Sequence, residues 1–367
     1  MKKTILVISN PFGYGPTGKA ISIISALKNK LINDQVVYAG NSLGQEIMDS
    51  RVDILGVDDR NEDALFELFK TVQNPHIVIS QNRFAIRAAT QLRIPCSFFD
   101  GLAWFWHKIP EEHFLADIIF WPRFPNIIGA QNSKIEFVGV IVDKLSSTPV
   151  LNQKSNIIIT LGGMVNPLVS GLPISYLDLF ARGINSLSRD INIGKIFLLC
   201  GQEVLHHLKN KISNPGIIID NLKHADFMNL LRTSKHLVTT GGQTATTESF
   251  SLEIPVSFIL PVNLSQYALV RLLRKHDACQ QALDWQSYID ISSDIADFSE
   301  QYVMIEFDLY AKRILSNKRL LDLYIDDFCS LVQHVPNNDG QVEFINGVGT
   351  NGADEIASIL IRKWNLH

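Results

Sequence analysis

Short apolar strands alternate with helical segments twice along this chain, and that alternation constrains the fold most strongly. In the first half, strands are predicted at Thr4–Ser9, Gln35–Tyr38, His76–Ser80 and Cys96–Phe99, with helical segments between them, the first of which is predicted over Lys19–Lys30. These strands are apolar at consecutive positions rather than at every second one, so both of their faces should be buried. The pattern predicts a parallel sheet that is covered by helices on both sides.

The alternation begins again after Ser146–Ser155, a polar stretch without periodicity, with the strand Asn156–Leu161. A chain of 367 residues suits two domains of this type. We therefore predict an α/β fold with two Rossmann-like, doubly wound parallel-sheet domains that face a cleft. The predicted parts are an N-terminal acceptor-binding domain over 1–145, a linker over 146–155, a C-terminal nucleotide-sugar-binding domain over 156–350, and a helix over 351–367 that packs back toward the N-terminal domain.

Composition excludes several classes of function. The formal net charge of −4 offers no basic surface for general nucleic-acid binding. Four cysteines lie far apart in the sequence, which argues against a disulfide framework or a zinc site and favours the cytoplasm. No apolar run is long enough to cross a membrane, and MKKTILVIS is interpreted as a first strand rather than a signal peptide. The oligomeric state is not predicted.

The segment 236–268 carries the clearest functional signal. An apolar strand, His236–Thr239, runs into Gly241-Gly242 and a helix that bears Glu248. Glycines let a backbone approach a phosphate closely, and the N–H groups and dipole of a helix N-terminus favour negative charge. A carboxylate further along the helix can accept hydrogen bonds from ribose hydroxyls. These features predict a nucleoside diphosphate ligand.

A second glycine pair, Gly162-Gly163, ends the strand Asn156–Leu161. Together with Gly241-Gly242 it could hold a diphosphate from two sides. The alternative is that each pair only makes a tight turn between a strand and a helix.

A third glycine loop competes with these two. Residues 13–19, GYGPTGK, have the spacing of a P-loop and follow a strand, which would suit a phosphotransferase or NTPase. However, Ala20 stands where that motif needs Ser or Thr for Mg²⁺, and Pro16 lies inside the loop. The other interpretation is a turn that lets the first helix begin close to a substrate.

The layout of 157–268 resembles the two-domain GT-B glycosyltransferases, among them the plant glucosyltransferases and the N-acetylglucosaminyltransferase of peptidoglycan synthesis. In these enzymes the C-terminal domain binds the donor nucleotide sugar. The resemblance implies two sets of donor contacts in this chain. The phosphate contacts are Gly162, Gly163, Gly241, Gly242, Gln243 and Thr244; the ribose and sugar contacts are Glu248, Asn263, Ser265 and Gln266.

The chain departs from this pattern at several positions. Thr240 stands where the group often has His or Ser, Ala245 where it has a hydroxyl, and Ser265 where it has an acidic residue. The N-terminal loop also lacks the His of many relatives, so the resemblance does not supply the base. The segments NPFGYGPTGKA and FFDGLAWFWHKIP are further similar to the cytosylglucuronate synthases of nucleoside-antibiotic pathways, which transfer glucuronate from a uridine diphosphate sugar to cytosine.

A transferase needs a base that takes the acceptor proton. Asp100 follows a strand and heads an aromatic loop that contains His107, so these two residues are the predicted catalytic residues. The alternative is that Asp100 caps a turn while the aromatic residues fill an interface. His113 is expected on a helix surface. Other predicted contacts are His224 for the nucleobase and, on the acceptor or sugar side, Gly15, Thr17, Gly18, Lys19, Arg83, Trp104 and Trp106.

Together these features predict a cytoplasmic, metal-independent glycosyltransferase that requires no cofactor. Its expected substrates are a uridine diphosphate sugar, with glucuronate as one candidate, and a small acceptor such as a nucleobase. The alternatives are a P-loop phosphotransferase that uses Gly13–Lys19, a sugar-nucleotide epimerase of the same fold, and a binding module without catalysis.

Overall fold

The structure is a computed structural model that describes residues 2–40, 43–127, 132–143, 155–164, 169, 171–187, 194–291, 295 and 298–367. The chain forms two compact units. The first contains Met1–Ser147, Lys223–Ala225 and Asn346–His367, and the second contains Thr148–Leu222 and Asp226–Ile345.

The first unit is built on a seven-stranded sheet in which every neighbouring pair is parallel. Its strand order is β3-β2-β1-β4-β5-β6-β7. The strands are β1 (Thr4–Ser9), β2 (Gln35–Ala39), β3 (Ile54–Leu55), β4 (Pro75–Ser80), β5 (Cys96–Phe99), β6 (Ile118–Pro122) and β7 (Ile135–Val138).

Helices cover both faces of this sheet. They are α1 (Gly15–Lys28), α2 (Gly44–Ile47), α3 (Glu62–Thr71), α4 (Arg83–Gln91) and α13 (Gly352–Trp364). Successive strand residues point to opposite faces. In β5, Phe99 packs with α1 and α13, whereas Phe98 packs with α3 and α4. The two cores explain why the strands are apolar at consecutive positions.

The C-terminal helix α13 is part of the first core. Its residues Ile356 and Leu360 are fully buried there, and each contributes about 1.5–3 kcal/mol of burial free energy. The helix begins where two backbones meet, because a Cβ on Gly352 would lie 2.1 Å from the carbonyl oxygen of Gly139. Glycine is therefore required at the start of α13.

The second unit is built on a five-stranded parallel sheet with the order β10-β9-β8-β11-β12. Its strands are β8 (Asn156–Gly162), β9 (Ile196–Cys200), β10 (Ile217–Asp220), β11 (Ser234–Thr239) and β12 (Val256–Phe258). The helices along this part of the chain are α5 (Ile174–Ser186), α6 (Gln202–Lys209), α7 (His224–Arg232), α8 (Gln243–Ser251), α9 (Leu264–Lys275), α10 (Glu300–Ser316), α11 (Lys318–Gln333) and α12 (Asp339–Val348).

The predicted fold class, with two parallel-sheet α/β parts, is confirmed. The sequence did not predict the strands β3, β6 and β7. The predicted linker lies outside the described residues except for Ser155, and the domain limits stay predictions. No helix within the described ranges is long and apolar enough to cross a membrane.

Candidate functional site

The two glycine pairs of the second unit lie side by side. Strands β8 and β11 are hydrogen-bonded neighbours, and Thr160 is paired with Thr239. Their carboxyl ends therefore meet at one edge of the sheet, which brings Gly162-Gly163 next to Gly241-Gly242. Ligands of open α/β sheets bind at such an edge.

Two features require glycine at position 241: the conformation of its backbone and the close approach of helix α9. Its φ is +93°, and a Cβ there would lie 3.1 Å from Val270 Cγ2 and 3.2 Å from the Gln266 carbonyl oxygen of helix α9. Gly162 also has a positive φ, +63°, but among the described residues a Cβ there would meet no atom within 4 Å. Gly241 therefore lets helix α9 pack closely against this loop. At Gly162, at the end of the neighbouring strand, the described residues leave open space.

Gly242 is the N-cap of helix α8, and as a glycine it has no side chain with which to cap the helix. A Cβ on Gly242 would also meet no atom within 4 Å. The first residues of the helix, Gln243 and Thr244, follow directly. A helix N-terminus whose N-cap residue is glycine, next to open space, is suited to an anion because its N–H groups and dipole favour negative charge.

Two threonine hydroxyls within α8 donate hydrogen bonds to backbone carbonyls of the same helix. The Thr246 hydroxyl donates to the Gly242 carbonyl over 2.8 Å, and the Thr247 hydroxyl donates to that of Gln243 over 3.0 Å. Glu248 lies further along the same helix, and only 1% of it is exposed. Hydrogen bonds to a carboxylate at this depth are strong, because little water competes for its oxygens.

The three residues predicted on the sugar side lie together at the start of α9. Asn263 caps this helix by accepting from the Gln266 N–H over 2.9 Å, and the Ser265 hydroxyl donates to the same Asn263 oxygen over 3.1 Å. The side-chain oxygen of Gln266 accepts from the Val262 N–H over 2.9 Å. These bonds shape the loop, a function that the sequence did not reveal.

Sequence reasoning missed Glu300 beside this loop. Its Oε2 accepts from the Leu264 N–H over 3.1 Å, at the N-terminus of α9. Burial raises the pKa of Glu300 to about 7, although the backbone N–H groups of Leu264 and Ser265 oppose that rise. No sequence signal would have found it, because a Glu that follows a Ser N-cap is common at helix starts.

The GYGPTGK segment does not form a phosphate-binding loop. Helix α1 begins at Gly15, within the motif, and the Gly18 N–H donates to the Tyr14 carbonyl over 2.9 Å. A P-loop needs N–H groups that point at the phosphates, whereas this one is used by the helix. The P-loop alternative is therefore wrong.

Thr17 and Lys19 of α1 face the carboxyl edge of the first sheet. The Thr17 hydroxyl lies 2.9 Å from that of Ser9, which in turn lies 2.8 Å from the Tyr38 hydroxyl. Burial raises the pKa of Tyr38 to about 12, so its hydroxyl stays protonated at neutral pH. Lys19 is 5% exposed, and a Cβ on Gly101 would lie 2.5 Å from its Nζ.

Asp100, directly after β5, is enclosed by donors. It is 1% exposed; its Oδ1 accepts from the Leu102 N–H over 2.9 Å, and its Oδ2 accepts from the Trp106 indole N–H over 3.0 Å. The Nδ1 of His113 lies 3.0 Å from the same Oδ2. The bond to the Leu102 N–H shows that Asp100 caps a turn, which was the alternative to a catalytic role. Asp100 also contacts His113.

The prediction for His113 was wrong. The residue lies in the short 3-10 helix Glu111–Leu115, is 8% exposed, and its ring centroid is 4.5 Å from that of Phe98. Tertiary packing between this 3-10 helix and β5 creates the Asp100–His113 pair, which no sequence spacing indicates.

The other residues predicted at this edge of the first sheet differ in their exposure. His107 and Arg83 are exposed, and the Arg83 guanidinium lies 5.2 Å from the Phe84 ring centroid. The Trp104 indole N–H donates to the Gly101 carbonyl over 3.1 Å, so this ring is held inside the first unit.

His224, predicted at the nucleobase, belongs to a buried charge cluster of the first unit. Its Nδ1 lies 3.2 Å from an Asp143 oxygen, and Arg51 lies 2.9 Å from the same carboxylate. Burial would raise the pKa of Asp143, but the hydrogen bonds of His224 and Arg51 outweigh it and hold that pKa below its usual value. In the described part of the chain, no group of three or more His, Cys, Asp or Glu could hold a metal ion.

No protein-family profile and no curated protein matches the chain. The chain does match solved structures. A putative UDP-N-acetylglucosamine 2-epimerase from Listeria monocytogenes is 15% identical with a TM-score of 0.55, over 100% of this chain and 98% of that one. The spinosyn rhamnosyltransferase SpnG, complexed with thymidine diphosphate, is 13% identical with a TM-score of 0.55, over all of both chains. MurG of Acinetobacter baumannii is 14% identical with a TM-score of 0.51, over 98% and 99%. The chain therefore has the GT-B fold that nucleotide-sugar glycosyltransferases and epimerases share.

Proposed function

We propose that this chain is a glycosyltransferase that takes a sugar from a nucleoside diphosphate sugar and moves it to a small acceptor. One observation supports the proposal above all. The glycine pairs that end β8 and β11 are adjacent, and the helix that follows one of them has a glycine N-cap, Gly242, beside which the described residues leave open space.

The diphosphate binds at these glycines and at the first turn of α8, through Gln243 and Thr244. The helix dipole and backbone N–H groups stabilise both the bound donor and the leaving diphosphate, so the reaction needs no metal ion. Glu248 accepts hydrogen bonds from the ribose hydroxyls, and the loop of Asn263 and Gln266 lies at the sugar. Uridine is the proposed base, and glucuronate is one candidate sugar.

His113 is the proposed general base. Both oxygens of Asp100 already accept hydrogen bonds. We therefore propose that Asp100 orients the imidazole ring of His113 and does not itself take the acceptor proton. With Nδ1 turned to Asp100, Nε2 of His113 is the remaining nitrogen. It takes the acceptor proton while the acceptor attacks the anomeric carbon, and the bond from that carbon to the diphosphate oxygen breaks.

The first unit binds the acceptor at the carboxyl edge of its sheet. Lys19 supplies a positive charge beside Gly101, and the half-buried Trp106 supplies aromatic surface next to Asp100. These groups suit a small planar acceptor with a carbonyl or anionic group, such as a pyrimidine base. Cytosine is the first acceptor to test.

The test is release of nucleoside diphosphate from a panel of uridine and thymidine diphosphate sugars, with and without nucleobase acceptors. A transferase releases the diphosphate only when an acceptor is present, and a new glycoside appears by mass spectrometry. Conversion of the donor into an epimer without any acceptor would instead identify an epimerase, the activity for which the Listeria protein is named. No turnover of any donor would contradict both.

Two variants test the base. His113→Gln should reduce the turnover number by about 100-fold or more while leaving the affinity for the diphosphate within about twofold. His206→Gln, at an exposed histidine of α6 with no proposed part in the reaction, is the control and should keep wild-type turnover. Equal activity of His113→Gln and the wild type would refute the role of His113.

A further inference from the structure

A glutamine in the left-handed region makes the turn from β4 into α4. Gln81 stands between Ser80, the last residue of β4, and Asn82, the N-cap of α4, and its φ is +62°. This conformation costs free energy in a residue with a Cβ, whereas glycine adopts it freely and asparagine, aspartate and histidine adopt it more readily than other residues. The chain therefore keeps a glutamine where the backbone favours glycine.

The side chain of Gln81 does not stabilise this turn. The backbone N–H of Gln81 donates to the Phe99 carbonyl over 3.1 Å, and the Asn82 side chain caps α4 by accepting from the N–H groups of Phe84 and Ala85. Gln81 is half-buried, and its amide makes no hydrogen bond with any described residue. Neither the turn nor the helix cap uses the amide, so the fold itself gives no reason for a glutamine at this position.

The amide of Gln81 lies beside Lys19 at the carboxyl edge of the first sheet. Strands β4 and β5 are neighbours, so Gln81 at the end of β4 lies close to Gly101, which follows β5 and Asp100. A Cβ on Gly101 would lie 2.5 Å from Lys19 Nζ and 3.4 Å from Gln81 Oε1. The ammonium group and the amide therefore converge above Gly101, within the proposed acceptor site.

An amide beside an ammonium group selects one kind of ligand. The amide presents a donor and an acceptor on adjacent atoms, so it pairs with an edge that presents an acceptor and a donor, as glutamine does with nucleobases. The Lys19 ammonium only donates, so it is matched by a carbonyl oxygen. Cytosine carries an amino group, a ring nitrogen and a carbonyl oxygen in a row along one edge, which satisfies both side chains. An aromatic carboxylate offers acceptors only and leaves the oxygen of the amide unpaired.

We propose that Gln81 determines the acceptor specificity: its amide pairs with the edge of a pyrimidine base while Lys19 donates to the carbonyl oxygen of that base. The unfavourable backbone of Gln81 is kept because it sets this amide at the acceptor. The inference rests on the proposed function for the acceptor, but the binding of a base can be measured without a donor sugar and without transfer.

Gln81→Gly separates the backbone of this residue from its side chain. Glycine relieves the left-handed conformation, which offsets its greater freedom in the unfolded chain, so the variant should unfold at the wild-type temperature or above. Arg93→Gly is the matched control, because Arg93 has a φ of +54° just beyond the other end of α4. It should also unfold at the wild-type temperature or above. A lower unfolding temperature for Gln81→Gly than for the wild type would show that the amide stabilises the fold, and it would overturn the proposal.

Calorimetric titration of cytosine, with and without uridine diphosphate, tests the pairing. The wild type should bind cytosine at least about tenfold more tightly than benzoate, and Gln81→Gly should bind cytosine at least about tenfold more weakly than the wild type. Arg93→Gly lies before β5, at the opposite edge of the sheet, and should bind cytosine within about twofold of the wild type. Equal affinity of Gln81→Gly and the wild type, or a wild type that binds no cytosine, would overturn the proposal. Binding that depends on Gln81 without turnover of any donor would instead refute the transferase and leave the role of Gln81 intact.

Discussion

Replacing His236 with glutamine should remove part of the acid sensitivity of the protein. His236 lies in the middle of the second sheet with no exposed surface, and its Nε2 lies 2.9 Å from the Ser257 hydroxyl. Burial lowers the pKa of His236 to about 4, although a backbone hydrogen bond with Val332 opposes that change. The ring is therefore neutral in the folded protein at every pH above about 4.

The size of the effect follows from linkage. A histidine has a pKa of about 6.5 in the unfolded chain, so below that pH the unfolded state binds a proton that the folded state excludes. The pKa of the folded state is the lower one, so the stabilisation is complete above pH 6.5 and is lost as the pH falls toward 4. With one pKa unit equal to about 1.4 kcal/mol, the loss between pH 8 and pH 5 is about 2 kcal/mol.

The assay is urea unfolding of the wild type and His236→Gln at pH 8 and pH 5. At pH 8 the variant should be less stable, because it disturbs the hydrogen bond to Ser257. At pH 5 that difference should shrink by about 2 kcal/mol, because only the wild type has a histidine to protonate. The exposed His107→Gln is the control and should follow the wild type at both pH values. A difference between His236→Gln and the wild type that stays constant with pH would refute the reasoning.

Three further changes test separate parts of the molecule. Glu248→Gln should weaken binding of uridine diphosphate by about 1–3 kcal/mol in calorimetry through lost charge-assisted hydrogen bonds. The pKa of Glu300 is raised to about 7, so its favourable effect on stability is complete below about pH 4.5 and lost as the pH rises through 7. Glu300→Gln should therefore gain stability against the wild type between pH 4 and pH 8, by up to about 3 kcal/mol; no gain would contradict this. Gly352→Ala sets a Cβ 2.1 Å from the Gly139 carbonyl oxygen and should cost about 3 kcal/mol in thermal unfolding, whereas Gly347→Ala meets no atom within 4 Å and should cost nothing.

Most of the buried strands could be predicted from the sequence, because strands with two covered faces are apolar at every position. The buried inner strand β6, Ile118–Pro122, has the same pattern and was nevertheless missed. Cys96–Phe99 has the same limits in sequence and structure, and both of its faces are buried. The missed strands β3 and β7 lie at the two edges of the first sheet, and each has partly exposed residues, among them Leu55 and Phe137. Edge strands lack the apolar run on which the prediction depended.

The start of α1 was predicted four residues late. The interpretation began the helix at Lys19, whereas Pro16 lies in its first turn. Proline is favoured at the first helical positions, because its fixed φ suits a helix and it needs no N–H partner there. That rule, applied to Pro16, predicts the earlier start and argues against a P-loop.

Some site residues could be predicted from the order of the strands, whereas others could not. Adjacent glycine loops follow from strand order in a parallel sheet, and the structure brings Gly162 and Gly241 to neighbouring strand ends. The Asp100–His113 contact and the Glu300 carboxylate depend on packing between elements that are distant in sequence. Spacing along the chain contains no information about such contacts.

The central claim is that a nucleoside diphosphate binds at the start of α8, where the N-cap residue is glycine, and Gly242→Asp tests it most directly. The backbone of Gly242, at φ −64° and ψ 119°, accepts any residue, and a Cβ there meets no atom within 4 Å. An aspartate N-cap should stabilise the helix by a few tenths of a kcal/mol, because its carboxylate can accept from N–H groups of the first turn. The same carboxylate, about 5 Å from a phosphate at an effective dielectric constant of about 20, should cost about 3 kcal/mol of binding.

The measurement is a calorimetric titration of uridine diphosphate into the wild type, Gly242→Asp and Gly56→Asp. Gly56 is exposed with open space around it, so this control introduces the same charge far from α8 in sequence. We predict that Gly242→Asp binds about 100-fold more weakly while unfolding at the same temperature or higher, and that Gly56→Asp binds like the wild type. Equal affinity of Gly242→Asp and the wild type, or a wild type that binds no nucleoside diphosphate, would contradict the claim.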